Sequence, residues 1–270
     1  MTCLTQGSLL DRTLSAAGLR SRAREDIDVR GVPAPPGPPT GSLARAELAA
    51  AAELPRLLLA AAPRLARAPR GDGHVVLDVP GWKAPEATGA PLRRYLRWLG
   101  YDARSWGLGT NAGQPERETE ILAEQVLALA QDHGPVSLVG WSLGGVIARE
   151  VARHHPDAVR RVLTYGTPAV GGPSFTLGHR AWGRAECERI AALAEELDLS
   201  TPIRVPVTAV FSRRDGVVTW QACVDRRSPL AENVEVGSTH LGLVLDPDVW
   251  TVLASRLAQP VASLPLPTCA

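Results

Sequence analysis

Five residues near the middle of the chain, Gly140-Trp141-Ser142-Leu143-Gly144, set a serine hydroxyl between two glycines. The spacing Gly-x-Ser-x-Gly suits a nucleophile held on a turn too tight for neighbouring Cβ atoms, although a serine at a strand-to-helix turn is also an ordinary helix cap. A serine hydroxyl is a poor nucleophile near neutral pH. It needs a base within hydrogen-bond reach and a third group to orient that base. His240, in Gly237-Ser238-Thr239-His240, supplies the base. The other five histidines are less suitable: His154 and His155 fall at a helix end, His74 and His133 precede strands, and His179 lies in an irregular segment. The acid is expected between nucleophile and base, and Ser212-Arg213-Arg214-Asp215-Gly216 offers Asp215, with Asp225 in reserve. Asp-Gly is also a common turn pair, so Asp215 gains its meaning from the order Ser142, Asp215, His240. Acyl transfer is the chemistry this set implies.

Those residues need a scaffold that presents them together. From His74 onward, β-rich runs alternate with helical segments, the pattern of a mostly parallel sheet with crossover helices. Strands are expected at His74–Val79, Asp102–Trp106, Val136–Gly140, Val159–Tyr165, Val205–Phe211 and Asn233–Val236. Helices are expected at Ala90–Leu99, Pro115–Asp132, Leu143–His154, Thr219–Val224 and Asp246–Ala258. Ser142, Asp215 and His240 then all fall in loops that follow strands. The fold class is α/β, with helices flanking a central sheet.

A tetrahedral intermediate requires backbone donors aimed at its oxyanion. Leu143, next after the nucleophile, offers one N–H. Val79-Pro80-Gly81-Trp82 leaves the first strand, and Trp82 is the expected second donor, with Gly81 letting the backbone approach. A plain Pro-Gly turn is the competing reading there. Trp82, Trp141 and Trp220 flank these loops as candidate substrate-binding residues, with core packing the alternative for Trp141 and Trp220.

On these pieces the chain resembles lipase/esterase-type α/β-hydrolases, in particular the bacterial group with a Pro-Gly oxyanion loop and a Gly-Trp-Ser-Leu-Gly-Gly elbow. The resemblance runs from His74 to about Gln259 and includes Ser212 to Val218 and Gly237 to Gly242. It implies ester hydrolysis at Ser142 with no cofactor, and a cap inserted after the strand that follows the elbow helix. Residues 166–204 would be that cap, with a helical run from about Ala185 to Leu197. Many relatives begin the oxyanion loop with His-Gly, where this chain has Pro80-Gly81.

Residues 1–70 match nothing in that resemblance. Val32 to Thr40 is a proline-rich strap or linker. Ser42 to Arg67 reads as two or three short helices broken by Pro55 and Pro63, which either pack on the main domain or touch a membrane surface. The catalytic domain is expected over 71–260 and a tail over 261–270. Lys and Arg total 29 against 28 Asp and Glu, a formal charge of +1, so no field exists to gather a nucleic acid. The expected partner is a small-molecule or lipid-like ester. Nothing in the sequence singles out a membrane, a polymer or an oligomer. Met1 to Ala17 lacks the pattern of a secretory signal, and a cytoplasmic location is the expectation. Cys3, Cys187, Cys223 and Cys269 show no metal-binding spacing; isolated thiols are expected, with a Cys3–Cys269 pair as the alternative. Two rival functions remain open at this level: a thioesterase or acyltransferase using the same residues, and a ligand-binding protein on a hydrolase scaffold.

Overall fold

A computed structural model of the chain describes residues 23–25, 27–52, 55 and 62–260. Six strands, β1 (Val75–Val79), β2 (Asp102–Ser105), β3 (Val136–Trp141), β4 (Val159–Tyr165), β5 (Val207–Ser212) and β6 (Ala231–Val236), form one parallel sheet in the order β2-β1-β3-β4-β5-β6. Eight helices accompany it among the described residues: α1 (Gly41–Ala46), α2 (Ala62–Ala66), α3 (Ala90–Leu99), α4 (Pro115–His133), α5 (Leu143–His154), α6 (His179–Trp182), α7 (Arg184–Ser200) and α8 (Pro247–Leu257).

The central strands are apolar on both sides because both faces of the sheet are covered. Every residue of β1, β3 and β5 is buried, as a parallel sheet between helix layers requires. Alternate residues serve opposite layers. Val76 of β1 packs with Leu92 and Leu96 of α3 and Leu253 of α8, whereas Val75, Leu77 and Val79 pack with Leu122 and Val126 of α4 and Ile147 and Val151 of α5. In α3 the buried residues Leu92, Tyr95, Leu96 and Leu99 recur at helical spacing. Gly100, at φ +104°, ends that helix in the left-handed region that a side chain disfavours.

β5 begins at Val207 instead of Val205, since Pro206 has no N–H to give to the ladder. The helix expected over Thr219–Val224 is only a turn of 3₁₀-helix at Trp220–Cys223. Its flanks are claimed by two aspartates. Asp215 takes the N–H groups of Val217 and Val218, and Asp225 takes those of Arg227 and Ser228, which leaves too little chain between them for a helix.

The sheet order positions the site. From β1 the chain moves outward to β2, then returns to β3 on the other side of β1. The connections leaving β1 and β3 therefore diverge, and a crevice opens at the carboxyl ends of these strands. The loop carrying Gly81 and the turn carrying Ser142 meet there.

Residues 166–204 supply a 3₁₀ turn at Gly172–Phe175, then α6 and α7. Arg153 of α5 fastens α7 by donating to the carbonyls of Leu197 (3.0 Å) and Thr201 (2.5 Å) and to Asp198 (2.6 Å). The N-terminal residues run along the β6 edge of the sheet and over the loops after β5. Arg24 pairs antiparallel with Glu235 of β6, Arg226 donates to the carbonyl of Pro33 (2.9 Å), and Thr219 donates to that of Gly37. The proline-rich segment is thus a strap across the loops after β5. Cys187 and Cys223 are buried free thiols; Cys3, Cys269 and the 261–270 tail lie outside the described residues.

Candidate active site

β3 runs without a break into α5, and Ser142 is the junction. Its backbone has φ +53° and ψ −122°, one of two non-glycine residues at positive φ among the described residues. The hydroxyl makes no capping hydrogen bond to α5. A helix-capping role, the alternative for a serine at this point, is therefore not in use. The turn is closed by Ser142 N–H donating to the carbonyl of Tyr165 (3.0 Å) and Gly145 N–H donating to that of Ser142 (3.0 Å). The flanking glycines are sterically required. A Cβ at Gly140 would collide with the Gly145 backbone, and one at Gly144 would collide with the carbonyl oxygens of Val79 and Pro80. Gly144 thereby lets the loop after β1 lie against the start of α5.

That loop brings backbone to Ser142. A Cβ at Gly81 would sit 3.1 Å from the Ser142 Cβ and 3.0 Å from the Trp141 ring. Ala84 N–H donates to the Gly81 carbonyl (3.0 Å), which makes a turn with Trp82 and Lys83 at its centre. Leu143 is the first residue of α5, where the leading N–H groups have no intrahelical acceptor.

His240 and Asp215 meet in the loops after β6 and β5. His240 Nδ1 lies 2.7 Å from Asp215 Oδ2, with both side chains almost fully buried. The other carboxylate oxygen of Asp215 accepts from Val217 N–H (2.8 Å) and Val218 N–H (2.7 Å). A carboxylate accepts only, so Nδ1 carries the ring proton and Nε2 is left as a bare acceptor. Asp225, the reserve acid, is engaged elsewhere. It pairs with buried Arg149 of α5 at 2.5 Å and accepts from Arg227 N–H (3.0 Å) and Ser228 N–H (2.9 Å).

Ser142 and His240 share the wall of one cavity of about 220 Å³. Trp82, Trp141 and Leu143 line it too, with Val146 of α5 and Trp182 and Ile190 from residues 166–204. Trp220 does not. Its ring stacks on Phe211 with centroids 5.5 Å apart, and the Arg213 guanidinium lies over the ring, 4.1 Å from its centroid. The packing alternative describes Trp220 in this structure, while Trp141 both packs in the core and faces the cavity. Among the described residues no group of three His, Cys, Asp or Glu is placed to hold a metal ion, and no helix is long and apolar enough to cross a membrane.

No protein-family model matches the chain. Among solved structures it is similar to one of the metagenome-derived lipolytic enzymes LipS and LipT, with TM-score 0.55 and 18% identity over 71% of this chain and 94% of that one. It is also similar to the Bacillus licheniformis lipase BlEst2, with TM-score 0.54 and 18% identity over 72% of this chain and 95% of that one. The chain has the α/β-hydrolase fold. Among curated proteins the chain is 26% identical over 187 residues to a pimeloyl-[acyl-carrier protein] methyl ester esterase of Vibrio cholerae, covering 64% of its own length and 69% of that protein's. With the esterase of the same name from Chromobacterium violaceum it is 33% identical over 131 residues, 47% of its own length and 49% of that relative's. The chain thus spans about half the length of the second relative.

Two residues of the candidate site carry no motif. Asn111 is fully buried; its Nδ2 donates to the Pro80 carbonyl (2.8 Å) and its Oδ1 accepts from Gly113 N–H (3.0 Å), while its backbone carbonyl accepts from Lys83 N–H (2.9 Å). It holds the loop after β1 from outside. Glu47, from the N-terminal segment, accepts from the backbone of the loops that carry Asp215 and His240. Only a long-range contact could reveal either one. Conversely, the chain contains another Asp–His–Ser arrangement that leads nowhere. At the amino end of the sheet, Asp72 contacts His74 Nδ1, and His74 Nε2 lies 2.8 Å from Ser137 Oγ. Ser137 is fully buried within β3, away from any helix start, and burial holds His74 below the usual imidazole range against the Asp72 hydrogen bond. Geometry between three side chains is not a site without access and an oxyanion pocket.

Proposed function

We propose that this α/β-hydrolase is a serine carboxylic-ester hydrolase that works through an acyl-enzyme on Ser142. The observation that carries this reading is the 2.7 Å His240–Asp215 pair buried at the wall of the same apolar cavity that Ser142 faces. His240 Nε2 takes the Ser142 proton as Oγ attacks the ester carbonyl. Asp215 keeps the ring in the Nδ1–H tautomer and stabilises the imidazolium that forms. The N–H groups of Leu143 and Trp82 receive the oxyanion, the first at a helix start and the second at the centre of the Gly81–Ala84 turn. The imidazolium then protonates the departing alcohol. Water, activated by the same ring, releases the acid.

Residues 166–204 act as a cap: Trp182 of α6 and Ile190 of α7 line the cavity together with Val146 of α5. With no Asp, Glu, Lys or Arg on its wall, the cavity suits an apolar acyl chain. The relatives are named for a methyl ester of an acyl group on a carrier protein. A modest acyl chain esterified to a small alcohol is accordingly the substrate class we favour here.

The test is a chain-length series of p-nitrophenyl acyl esters on the wild type and on Ser142→Ala, beside acyl thioesters of matched length. Ser142→Ala should fold and lose turnover on every substrate; retained hydrolysis would remove Ser142 from the nucleophile's role. Faster turnover of thioesters than of esters would move the substrate class to thioesters. Labelling of the wild type by a fluorophosphonate, absent in Ser142→Ala, separates an enzyme from a binding scaffold.

A further inference from the structure

Glu47 lies outside the sheet and its helices, in the 3₁₀ turn Glu47–Ala52 that continues α1. Its carboxylate is nonetheless a shared acceptor for the acid loop and the base loop. Oε1 accepts from Gly216 N–H (2.7 Å) and His240 N–H (2.9 Å), and Oε2 accepts from Leu241 N–H (2.9 Å). Gly216 is the residue after Asp215; Leu241 is the residue after His240. The group is buried, with 8% of the residue exposed.

A buried carboxylate is costly unless hydrogen-bonded, and buried backbone N–H groups are costly unless accepted. Here each answers the other, through three charge-assisted bonds of the stronger kind. The approach is built into the backbone as well. A Cβ at Gly216 would collide with the Leu43 carbonyl of α1, so the absence of a side chain at 216 is what lets the N-terminal segment reach this depth. Elsewhere the two loops are joined through the Asp215–His240 pair itself and through Arg214, which donates to the Gly237 carbonyl (2.9 Å). Neither holds the backbone of His240.

We propose that Glu47 is a positioning residue of the catalytic site, fixing the separation of the Asp215 and His240 loops by clamping their backbones. This rests on the triad reading above. Glu47 acts through the two loops. A displacement of His240 of even an ångström or so is enough to cost about 10²-fold in rate, while the apolar cavity that binds the acyl chain is untouched. The signature is therefore a fall in kcat with KM preserved.

The experiment uses the full chain as wild type, Ser142→Ala, Glu47→Ala, Glu47→Gln and Arg226→Ala, each followed by thermal melting, by kcat and KM on a p-nitrophenyl ester, and by the rate of fluorophosphonate labelling. Glu47→Ala, assayed below its melting transition, should lose about ten- to a hundredfold in kcat with KM nearly constant and labelling slowed in step. Glu47→Gln should fall between it and the wild type, because the amide oxygen can still accept from Gly216 and His240 while the amide NH₂ opposes Leu241 N–H. Arg226→Ala frees the strap at Pro33 while leaving the Glu47 bonds to Gly216, His240 and Leu241 in place, and should keep wild-type kcat. A folded Glu47→Ala with wild-type kcat and labelling overturns the proposal, as does an equal kcat loss in Arg226→Ala. If Glu47→Ala does not fold, Glu47→Gln decides, and wild-type kcat there overturns it. Turnover retained by Ser142→Ala would instead overturn the triad reading, a separate result.

Discussion

Ser142 occupies a backbone conformation that costs a non-glycine residue of order 1–3 kcal/mol, held in place by the sheet on one side and α5 on the other. Ser142→Gly should therefore melt higher than Ser142→Ala, both being inactive; calorimetry of the two variants checks this, and equal melting points would show that the turn is unstrained. Asp215 illustrates how neighbouring donors dictate a substitution's effect. In Asp215→Asn the side-chain oxygen must still meet the Val217 and Val218 N–H groups. That turns the new NH₂ toward His240 Nδ1, which then has to accept, leaving the proton on Nε2 where a base is needed. The expected loss in kcat is about 10³- to 10⁴-fold, measured on the folded variant; a loss under tenfold would detach Asp215 from catalysis. The order of Ser142, Asp215 and His240 was readable because each follows a strand and each local motif is short. Trp220 was not, since the aromatic ring beside a catalytic loop can turn to the cavity or to Phe211, and only packing decides.

At the level of elements, the Pro80–Ala84 stretch after β1 belongs to no helix or strand and is held in shape by Asn111. Asn111→Ala removes the bond to the Pro80 carbonyl and loosens the Gly81–Ala84 turn. If that turn presents the second oxyanion donor, kcat should drop about 10²-fold with little change in KM, because such a donor acts mainly on the transition state. Steady-state kinetics decide, and a pure rise in KM would reassign the loop to substrate binding. The elements themselves were legible where two signals coincided. Leu143–His154 has glycines before it and helical periodicity within it, and its bounds match the sequence reading. Thr219–Val224 has helical composition but sits between two aspartates that capture the backbone on either side, a competition that composition alone does not express. The N-terminal helices were expected from Ala and Leu content; that one of their turns delivers Glu47 to the site was invisible, because no local pattern distinguishes a solvated glutamate from one received by three distant N–H groups.

For the molecule as a whole, acid stability hinges on buried pairs such as Asp225–Arg149, which ties the loop after β5 to α5. Burial raises the Asp225 pKa, but the Arg149 charge and hydrogen bond and the Ser228 N–H more than reverse this, leaving it at about 2. The unfolded chain, with an aspartate near its ordinary value of about 3.9, takes up the proton first. The contribution of Asp225 is therefore complete above about pH 4 and disappears as pH falls toward 2. Melting temperature against pH should show an acid limb in that window. Asp225→Asn should flatten it while lowering the melting temperature at neutral pH, since Arg149 is then buried without its counter-charge. An unchanged limb would place the acid sensitivity elsewhere. The parallel sheet was legible at this scale from alternating strand and helix patterns.

Glu47 and the amide of His240 are 193 residues apart in the chain. During synthesis at roughly 5–20 residues per second, the carboxylate is out of the ribosome on the order of ten to forty seconds before its partners exist. Until then it has only water for company. A ribosome-bound chain stalled short of residue 241 therefore carries Ser142 and Asp215 but lacks both the Leu241 N–H that Glu47 receives and the buried face of α8, so the Glu47 clamp and the last layer of the core are completed together at the end of synthesis.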